Sequence, residues 1–144
     1  MATLFTRIIN GEIPGTFVWA DEECVAFMTI EPVTPGHLLL VPRQEAESYW
    51  DASPEVVAHM ARVAQILSRA QLEAFSTARV AQAVAGFDVP HLHIHLIPVD
   101  SEADMALSKA KAAEPSELEE AAAKIRAALS KAGYPQVCEA APGA

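Results

Sequence analysis

The hydrophobic pattern of the first third of the chain predicts a short helix, a hairpin and a third strand. Apolar residues recur at near-helical spacing and stop at Asn10-Gly11, which favours a helix before that turn. Two runs rich in strand formers then flank an acidic turn, and an apolar run before Pro42 is typical of a buried strand. The elements predicted here are a helix over 4–10, a hairpin of strands 17–20 and 24–30, and a strand over 37–41.

The middle of the chain predicts one long helix followed by a strand. Ser53 is a suitable N-cap, and Pro54 suits the first helical position. Apolar residues then form a stripe at helical spacing, which predicts a helix over residues 54–73 that lies across the sheet. Residues 77–85 return to a strand pattern, and the turn at 86–90 leads into a strand that we expect to pair with them antiparallel.

The stretch that begins at His91 alternates imidazole and aliphatic side chains. Successive side chains on a strand point to opposite faces, so His91, His93 and His95 are expected on one face of the sheet. The opposite face would carry aliphatic side chains and pack against the core. Those aliphatic positions are Leu92, Ile94 and Leu96.

The last third of the chain is less regular. Residues 101–114 are rich in alanine and predict a loop with at most one short helix. Ser116 and Glu119 have capping-box spacing, and the pattern that follows predicts an amphipathic helix that ends before Gly133. We therefore expect a core of residues 1–100, an extension of residues 101–133 with a helix over 117–131, and a flexible tail of residues 134–144.

Composition narrows the class of protein. A length of 144 residues suits one domain with a sizeable core, and the formal net charge of -9 argues against nucleic acid or an anionic membrane as partner. The N-terminus lacks the pattern of a signal peptide, and no apolar run is long enough to span a bilayer. Cys24 and Cys138 have no metal or redox spacing, so a cytoplasmic location is expected.

Three explanations of the histidines are open on the residues alone. Each histidine could be a structural residue, although three at alternate positions, with His37 on another predicted strand, favour a function. A metal site is the second explanation, with His37 as a further ligand and Asp88 or Asp100 as an oxygen donor. His91 and His95 would lie ~13 Å apart along a strand, so only two of the three could share one ion. Covalent catalysis is the third, because imidazole is a nucleophile near neutral pH and a good leaving group from phosphorus.

The order of these residues resembles that of a known family. His91-Leu92-His93-Ile94-His95-Leu96-Ile97 is similar to the alternating signature of the histidine triad (HIT) family. Residues 27–43, which contain His37, resemble the second signature of that family, and residues 4–14 resemble its usual N-terminus. The similarity covers most of residues 4–98.

The resemblance implies an α+β fold of the HIT type. Its features would be an antiparallel sheet of about five strands, a long helix across the sheet, a C-terminal helix and pairing in a homodimer. It also implies a hydrolase or transferase that acts without a cofactor or metal on a purine nucleotide, such as a nucleoside phosphoramidate or a dinucleoside polyphosphate. His93 would be the covalent nucleophile, and His95 would contact the phosphate and help protonate the leaving group. His91 would orient His93, and His37 would support the triad.

The resemblance also assigns a nucleotide pocket. Thr29 stands where the family usually places an acidic or amide residue for the ribose, and Phe87 and Asp88 stand in the turn that usually offers a side-chain amide to the phosphate. A non-catalytic nucleotide-binding protein is therefore the main alternative, and a metal-dependent hydrolase is the third. The residues expected to sandwich the purine are Leu4, Phe5, Ile8, Phe27 and Ile30.

Overall fold

The computed structural model, which describes residues 1–143, contains the predicted five strands, the long helix and the C-terminal helix. The boundaries of most elements differ from the predicted ones by a few residues, as is usual where helices and strands fray. Two short 3-10 turns, at Glu102–Met105 and Leu107–Lys109, occupy the alanine-rich segment. The elements are α1 (Leu4–Ile9), β1 (Phe17–Ala20), β2 (Cys24–Met28), β3 (Leu38–Pro42), α2 (Pro54–Phe75), β4 (Arg79–Ala83), β5 (Ile94–Val99) and α3 (Pro115–Lys131).

The strands form one antiparallel sheet in the order β1-β2-β3-β5-β4. The first three strands form a meander, and α2 then carries the chain across the sheet to β4 at the far edge. β5 returns between β3 and β4, and this places His95 opposite Leu39. The predicted antiparallel pairing of the last two strands is confirmed.

Each face of the sheet buries its own apolar cluster. Helices α2 and α3 cover one face, where Leu92, Ile94 and Leu96 pack as their alternation predicts. Helix α1 covers the other face with Phe5, Ile8 and Ile9. The strand residues beneath α1 are Phe17, Val25, Phe27, Leu39 and Val41.

The histidine stretch is only partly a strand. β5 begins at Ile94, so His95 is the one triad histidine on a strand, and the predicted strand start at His91 is wrong. The backbone bonds explain the late start, because the N-H of His91 bonds the carbonyl of Val89 and that of Leu92 bonds Ala46 in a loop. These amides are therefore engaged outside the sheet.

Helix caps account for where α2 and α3 begin. The Ser53 hydroxyl accepts the N-H of Val56, and Pro54 opens α2 as predicted. α3 begins at Pro115 rather than at the predicted capping box, with Glu114 as its cap. The Glu117 carboxylate accepts the N-H of Glu114 at 3.1 Å. Proline at the first helical position needs no hydrogen-bond acceptor, which favours this earlier start.

Residues 134–143 belong to the segment predicted as a flexible tail, whose final residue lies outside the described part, and they bond to other elements. The N-H of Ala20 bonds the carbonyl of Gln136, and that of Cys138 bonds Val18, so the tail runs along β1. Gly143 donates to the carbonyl of Ile9 at the end of α1. The tail thus pairs an edge of the sheet that would otherwise be open. Within residues 1–143, the helices are all too short or too polar to cross a membrane.

Candidate active site

Four histidines meet beside α1. His37 lies directly before β3 and His95 lies on β5, and their rings bond through Nε2 of His37 and Nδ1 of His95 at 2.9 Å. The rings of His93 and His95 have centroids 5.0 Å apart. His37, His91 and His93 are buried, whereas His95 is partly exposed. The structure therefore brings together the four residues that the sequence assigned to catalysis.

Hydrogen bonding fixes the tautomer of His93. Nδ1 of His93 lies 2.7 Å from the carbonyl oxygen of His91. A carbonyl can only accept, so Nδ1 must carry the proton and donate it. Nε2 of the neutral ring is then an unprotonated nitrogen with a lone pair, and no protein group within residues 1–143 bonds it. A lone pair on nitrogen is what nucleophilic attack requires, and Nε2 of His93 has one.

The same reasoning fixes the tautomers of His37 and His95. The N-H of Val33 donates to Nδ1 of His37 at 3.1 Å, so Nδ1 is unprotonated and Nε2 carries the proton. His37 therefore donates to Nδ1 of His95, and the proton of the neutral His95 ring lies on Nε2. His95 thus presents an N-H donor, complementary to the lone pair of His93.

His91 is held between the end of β3 and the N-cap of α1. Its Nε2 lies 2.8 Å from the carbonyl oxygen of Pro42, and its Nδ1 lies 2.6 Å from the hydroxyl of Thr3. Thr3 and Thr6 are themselves bound by the Glu45 carboxylate, through the N-H of Thr3 and the hydroxyl of Thr6. This network fixes the backbone of His91, whose carbonyl orients His93.

Sequence reasoning missed this supporting network. Thr3 could have been recognised as the N-cap of α1, since its hydroxyl accepts the N-H of Thr6. Its second bond joins residues 88 positions apart, and Glu45 lies in a loop with no motif. No local pattern signals contacts of this kind.

Burial keeps the four histidines neutral. Loss of hydration disfavours the imidazolium form, and it is the largest cause of the lowered pKa of each. The pKa falls to about 3 for His37, where the charge of His95 adds to the effect, and to about 4 for His95, where that of His93 adds to it. The pKa of His93 is also lowered, so its Nε2 lone pair is available at neutral pH.

These pKa shifts predict how stability depends on pH. An unfolded chain binds a proton at each histidine near the ordinary pKa of 6.5, whereas the folded chain does so only at lower pH. The free energy of unfolding should be highest above pH 6.5 and fall as the pH drops towards the folded values of about 4 and about 3. Each histidine adds a slope of up to ~1.4 kcal/mol per pH unit.

Urea unfolding at several pH values between about 7.5 and 5 measures this dependence. The variant His37→Gln removes one of the buried imidazoles and should show a shallower dependence than the wild type. If the free energy of unfolding of the wild type stays constant or rises as the pH is lowered from about 7.5 to about 5, the buried histidines are not neutral in the folded chain.

The residues assigned to the purine divide into two groups. Phe5, Ile8 and Phe27 are buried, and the ring of Phe5 meets His93 edge-on, with centroids 5.0 Å apart. All three belong to the apolar cluster beneath α1, and Phe5 joins that cluster to His93. Leu4 is 44% exposed and Ile30 is 70% exposed, so these two present open apolar surface.

The remaining assigned residues lie at the surface or near it. Thr29 is partly buried, and its hydroxyl accepts the N-H of Glu31 at 3.2 Å. Phe87 is 96% exposed, and Asp88 beside it is also exposed. Gly86 starts this turn with φ at 83°, a conformation that glycine adopts without strain.

The proposed oxygen donors of a metal site lie on the surface. Asp88 and Asp100 are exposed, and Asp100 accepts the N-H of Ala78. Within residues 1–143, one group of three side chains has metal-ligating atoms within 4.8 Å of one another. It lies away from the histidine triad. Its members are Asp21, Cys24 and His59.

The cluster around Asp21 closes the first hairpin. One carboxylate oxygen of Asp21 lies 2.8 Å from both the indole nitrogen of Trp19 and Nε2 of His59, and the other accepts the N-H groups of Glu23 and Cys24. Burial, followed by the charge of Asp21, raises the pKa of the Cys24 thiol. The carboxylate therefore ties the β1-β2 turn to α2.

The family model and the relatives that match this chain all point to the same family. The model of the HIT domain matches residues 10–102. An uncharacterised HIT-like protein of Methanocaldococcus jannaschii is 33% identical over 100 residues, which are 66% of this chain and 77% of that protein. The adenylylsulfatase HINT3 of Arabidopsis thaliana is 31% identical over 100 residues, which are 66% of this chain and 51% of that protein.

A solved structure shares the fold over most of its length. It is that of a hypothetical histidine triad nucleotide-binding protein from Sulfolobus tokodaii, with a TM-score of 0.79 and 28% identity. The match covers 88% of this chain and 91% of that one. The expected HIT-type α+β fold is confirmed, and the chain belongs to the histidine triad family.

Proposed function

We propose that the protein is a nucleotidyl hydrolase or transferase that acts at the phosphorus of a purine nucleotide through a covalent bond to His93. The observation that carries the proposal is the bond from Nδ1 of His93 to the carbonyl of His91, since it leaves a lone pair on Nε2. The nucleotide-binding name of the Sulfolobus tokodaii protein and the adenylylsulfatase name of the Arabidopsis thaliana protein support the substrate class.

The proposed reaction has two steps. Nε2 of His93 donates its lone pair to the α-phosphorus, and the bond from phosphorus to the leaving group breaks. The leaving group departs with that electron pair and takes up one proton, for which the Nε2-H of His95 is the assigned donor. Water then attacks phosphorus, the electron pair of the P-N bond returns to His93, and the proton that the water releases returns to Nε2 of His95, which restores the starting state. A second acceptor in place of water would give transfer.

The proposed substrates are nucleoside phosphoramidates and dinucleoside polyphosphates. Both offer a nucleoside phosphate with a leaving group on the α-phosphorus, and the amine of the phosphoramidate needs a proton to depart. The exposed Leu4 and Ile30 provide apolar surface for the purine, and the hydroxyl of Thr29 offers one polar contact to the ribose.

A nucleotide-binding protein without catalysis is the second candidate. The exposed Phe87 and Asp88 favour it, because neither side chain supplies a hydrogen-bond donor to a phosphate. Loss of one such donor typically lowers a rate by ~100-fold or more. Slow turnover is therefore expected even if the covalent mechanism operates.

One assay separates the candidates. The protein is incubated with an adenosine phosphoramidate and with a dinucleoside polyphosphate, each with and without a chelator. Turnover that is unaffected by the chelator supports the covalent histidine. Turnover abolished by the chelator would favour a metal-dependent hydrolase, and nucleotide binding without turnover would favour the binding protein.

We also propose that the protein is a cytoplasmic homodimer. Within the described residues, the outer side of β4 pairs with no strand, and a second copy could extend the sheet there. Cys24 and Cys138 are free thiols, in keeping with a reducing compartment. Light scattering tests the dimer, and a mass near that of one chain would contradict it. Recovery of the protein outside the cytoplasmic fraction would contradict the location.

A further inference from the structure

A buried glutamine joins the two chain segments that carry His37 and His95. Gln71 lies on α2 with no exposed surface. Its side-chain Nε2 donates to the carbonyl of Gly36 at 2.8 Å and to that of Leu96 at 3.0 Å. Gly36 directly precedes His37, and Leu96 directly follows His95. One carboxamide therefore holds together the backbones on either side of this histidine pair.

A second contact from α2 fixes the same place. Phe75 lies one helical turn after Gln71, and its ring is so close to Gly36 that a Cβ added there would lie 2.3 Å from a ring carbon. Gly36 also has φ at 89°, in the left-handed region. The last turns of α2 thus determine where the segment before His37 lies.

A polar side chain at position 71 lowers stability, because the surroundings of Gln71 are apolar. Its helical neighbours Leu67 and Ala70 belong to the apolar core, and its own Oε1 has no hydrogen-bond partner within residues 1–143. A buried acceptor without a partner loses its hydration without compensation. An apolar side chain would avoid this cost, so the two bonds from Nε2 are the feature that requires an amide.

We propose that Gln71 is a positioning residue, which holds His37 and His95 at hydrogen-bonding distance and so keeps the proton of His95 on Nε2. The proposal rests on the proposed function for its catalytic consequence. His37 imposes the tautomer of His95 only while their nitrogens remain 2.9 Å apart. The pairing of Leu38 with Leu96 keeps the strands together whether or not Gln71 donates its two bonds. If the segment just before β3 shifts and His37 moves away, the His95 ring is free to carry its proton on either nitrogen, and the donor for the leaving group is lost part of the time.

The test replaces the amide by a side chain of similar length. Gln71→Met keeps the volume but cannot donate. Gln65→Met makes the same change at an exposed position of the same helix, and Met60→Ala lowers stability in the core at the other end of α2. The three variants separate loss of the two bonds from the residue change itself and from general destabilisation.

The first readout is independent of catalysis. In protein whose histidines are labelled with 15N, long-range proton-nitrogen NMR correlations report which ring nitrogen is protonated. We expect the Nε2-H form of His95 in the wild type, Gln65→Met and Met60→Ala. Gln71→Met should show averaged nitrogen shifts for His95 from two tautomers. A single Nε2-H form in Gln71→Met would overturn the proposal.

The second readout compares two leaving groups on the same adenylyl group. An amine needs a proton to depart, whereas 4-nitrophenolate does not. We expect Gln71→Met to lower kcat for the phosphoramidate by about 10- to 100-fold, because the His95 ring is then misplaced as well as partly in the wrong tautomer, and to leave the 4-nitrophenyl ester within about twofold. An equal loss for both substrates would overturn the positioning role. If the wild type turns over neither substrate, the proposed function fails, and the NMR result alone decides the role of Gln71.

Discussion

Replacing His93 with alanine is expected to lower turnover of an adenosine phosphoramidate by about a thousandfold or more. The variant has no Nε2 lone pair to attack phosphorus, and a nucleophile acts as a unit with its partners, so little of the covalent route should survive its loss. Binding should change much less, because the apolar surface at Leu4 and Ile30 is intact. Single-turnover kinetics measures the rate, and calorimetry with a nucleoside monophosphate measures the affinity.

His59→Ala is the matched control for this variant. His59 lies on α2 and bonds Asp21, away from the triad, so its replacement should leave turnover within about an order of magnitude. His93→Gln fills more of the buried space than alanine and should be equally inactive. If His93→Ala turns over substrate as fast as wild type, the assignment of the nucleophile is wrong.

Replacing Gly36 with alanine is expected to lower the free energy of unfolding by about 2–4 kcal/mol. The new Cβ would lie 2.3 Å from a carbon of the Phe75 ring, so either the ring or the backbone just before β3 must move. The φ of 89° adds the cost of a left-handed conformation, about 1–2 kcal/mol for residues other than glycine. Urea unfolding measures the difference.

Gly133 offers a control for the backbone conformation alone. Its φ is 90°, almost the same as at Gly36, but an added Cβ would meet no atom within 4 Å. Gly133→Ala should therefore cost only about 1–2 kcal/mol. In the double variant Gly36→Ala with Phe75→Ala, the second change should cost less than it does alone, since it removes the overlap. Equal losses for Gly36→Ala and Gly133→Ala would show that the contact with Phe75 is unimportant.

The features of the fold that depend on neighbouring residues in the sequence were predictable. Alternation over His91 to Leu96 predicted that Leu92, Ile94 and Leu96 pack in the core, because side-chain direction along an extended chain depends on position alone. The structure places that core on the α2 side of the sheet. The start of α2 followed equally from Ser53 and Pro54, whose effect on a helix is local. The grouping of His37 with the triad was predicted from the motifs that this chain shares with a family. In the structure, the pairing of β3 with β5 brings His37 next to His95.

The features that depend on long-range contact were not predictable. The late start of β5 reflects bonds from His91 and Leu92 to a turn and to a distant loop. The flexible tail was predicted from its position at a chain terminus, which gives no sign of its bonds to the edge of β1. Gln71 resembled any polar residue of an amphipathic helix, and only the fold shows that it lies on the buried side.

Mass spectrometry of the protein during turnover tests the covalent role of His93 most directly. The wild type is mixed with an adenosine phosphoramidate, quenched rapidly at alkaline pH, where phosphorus-imidazole bonds persist, and digested for peptide mapping. We predict an adenylyl group on His93, formed fast enough to account for turnover and absent from His93→Ala. Turnover with no adduct, or with the adduct on any other residue, would contradict the account.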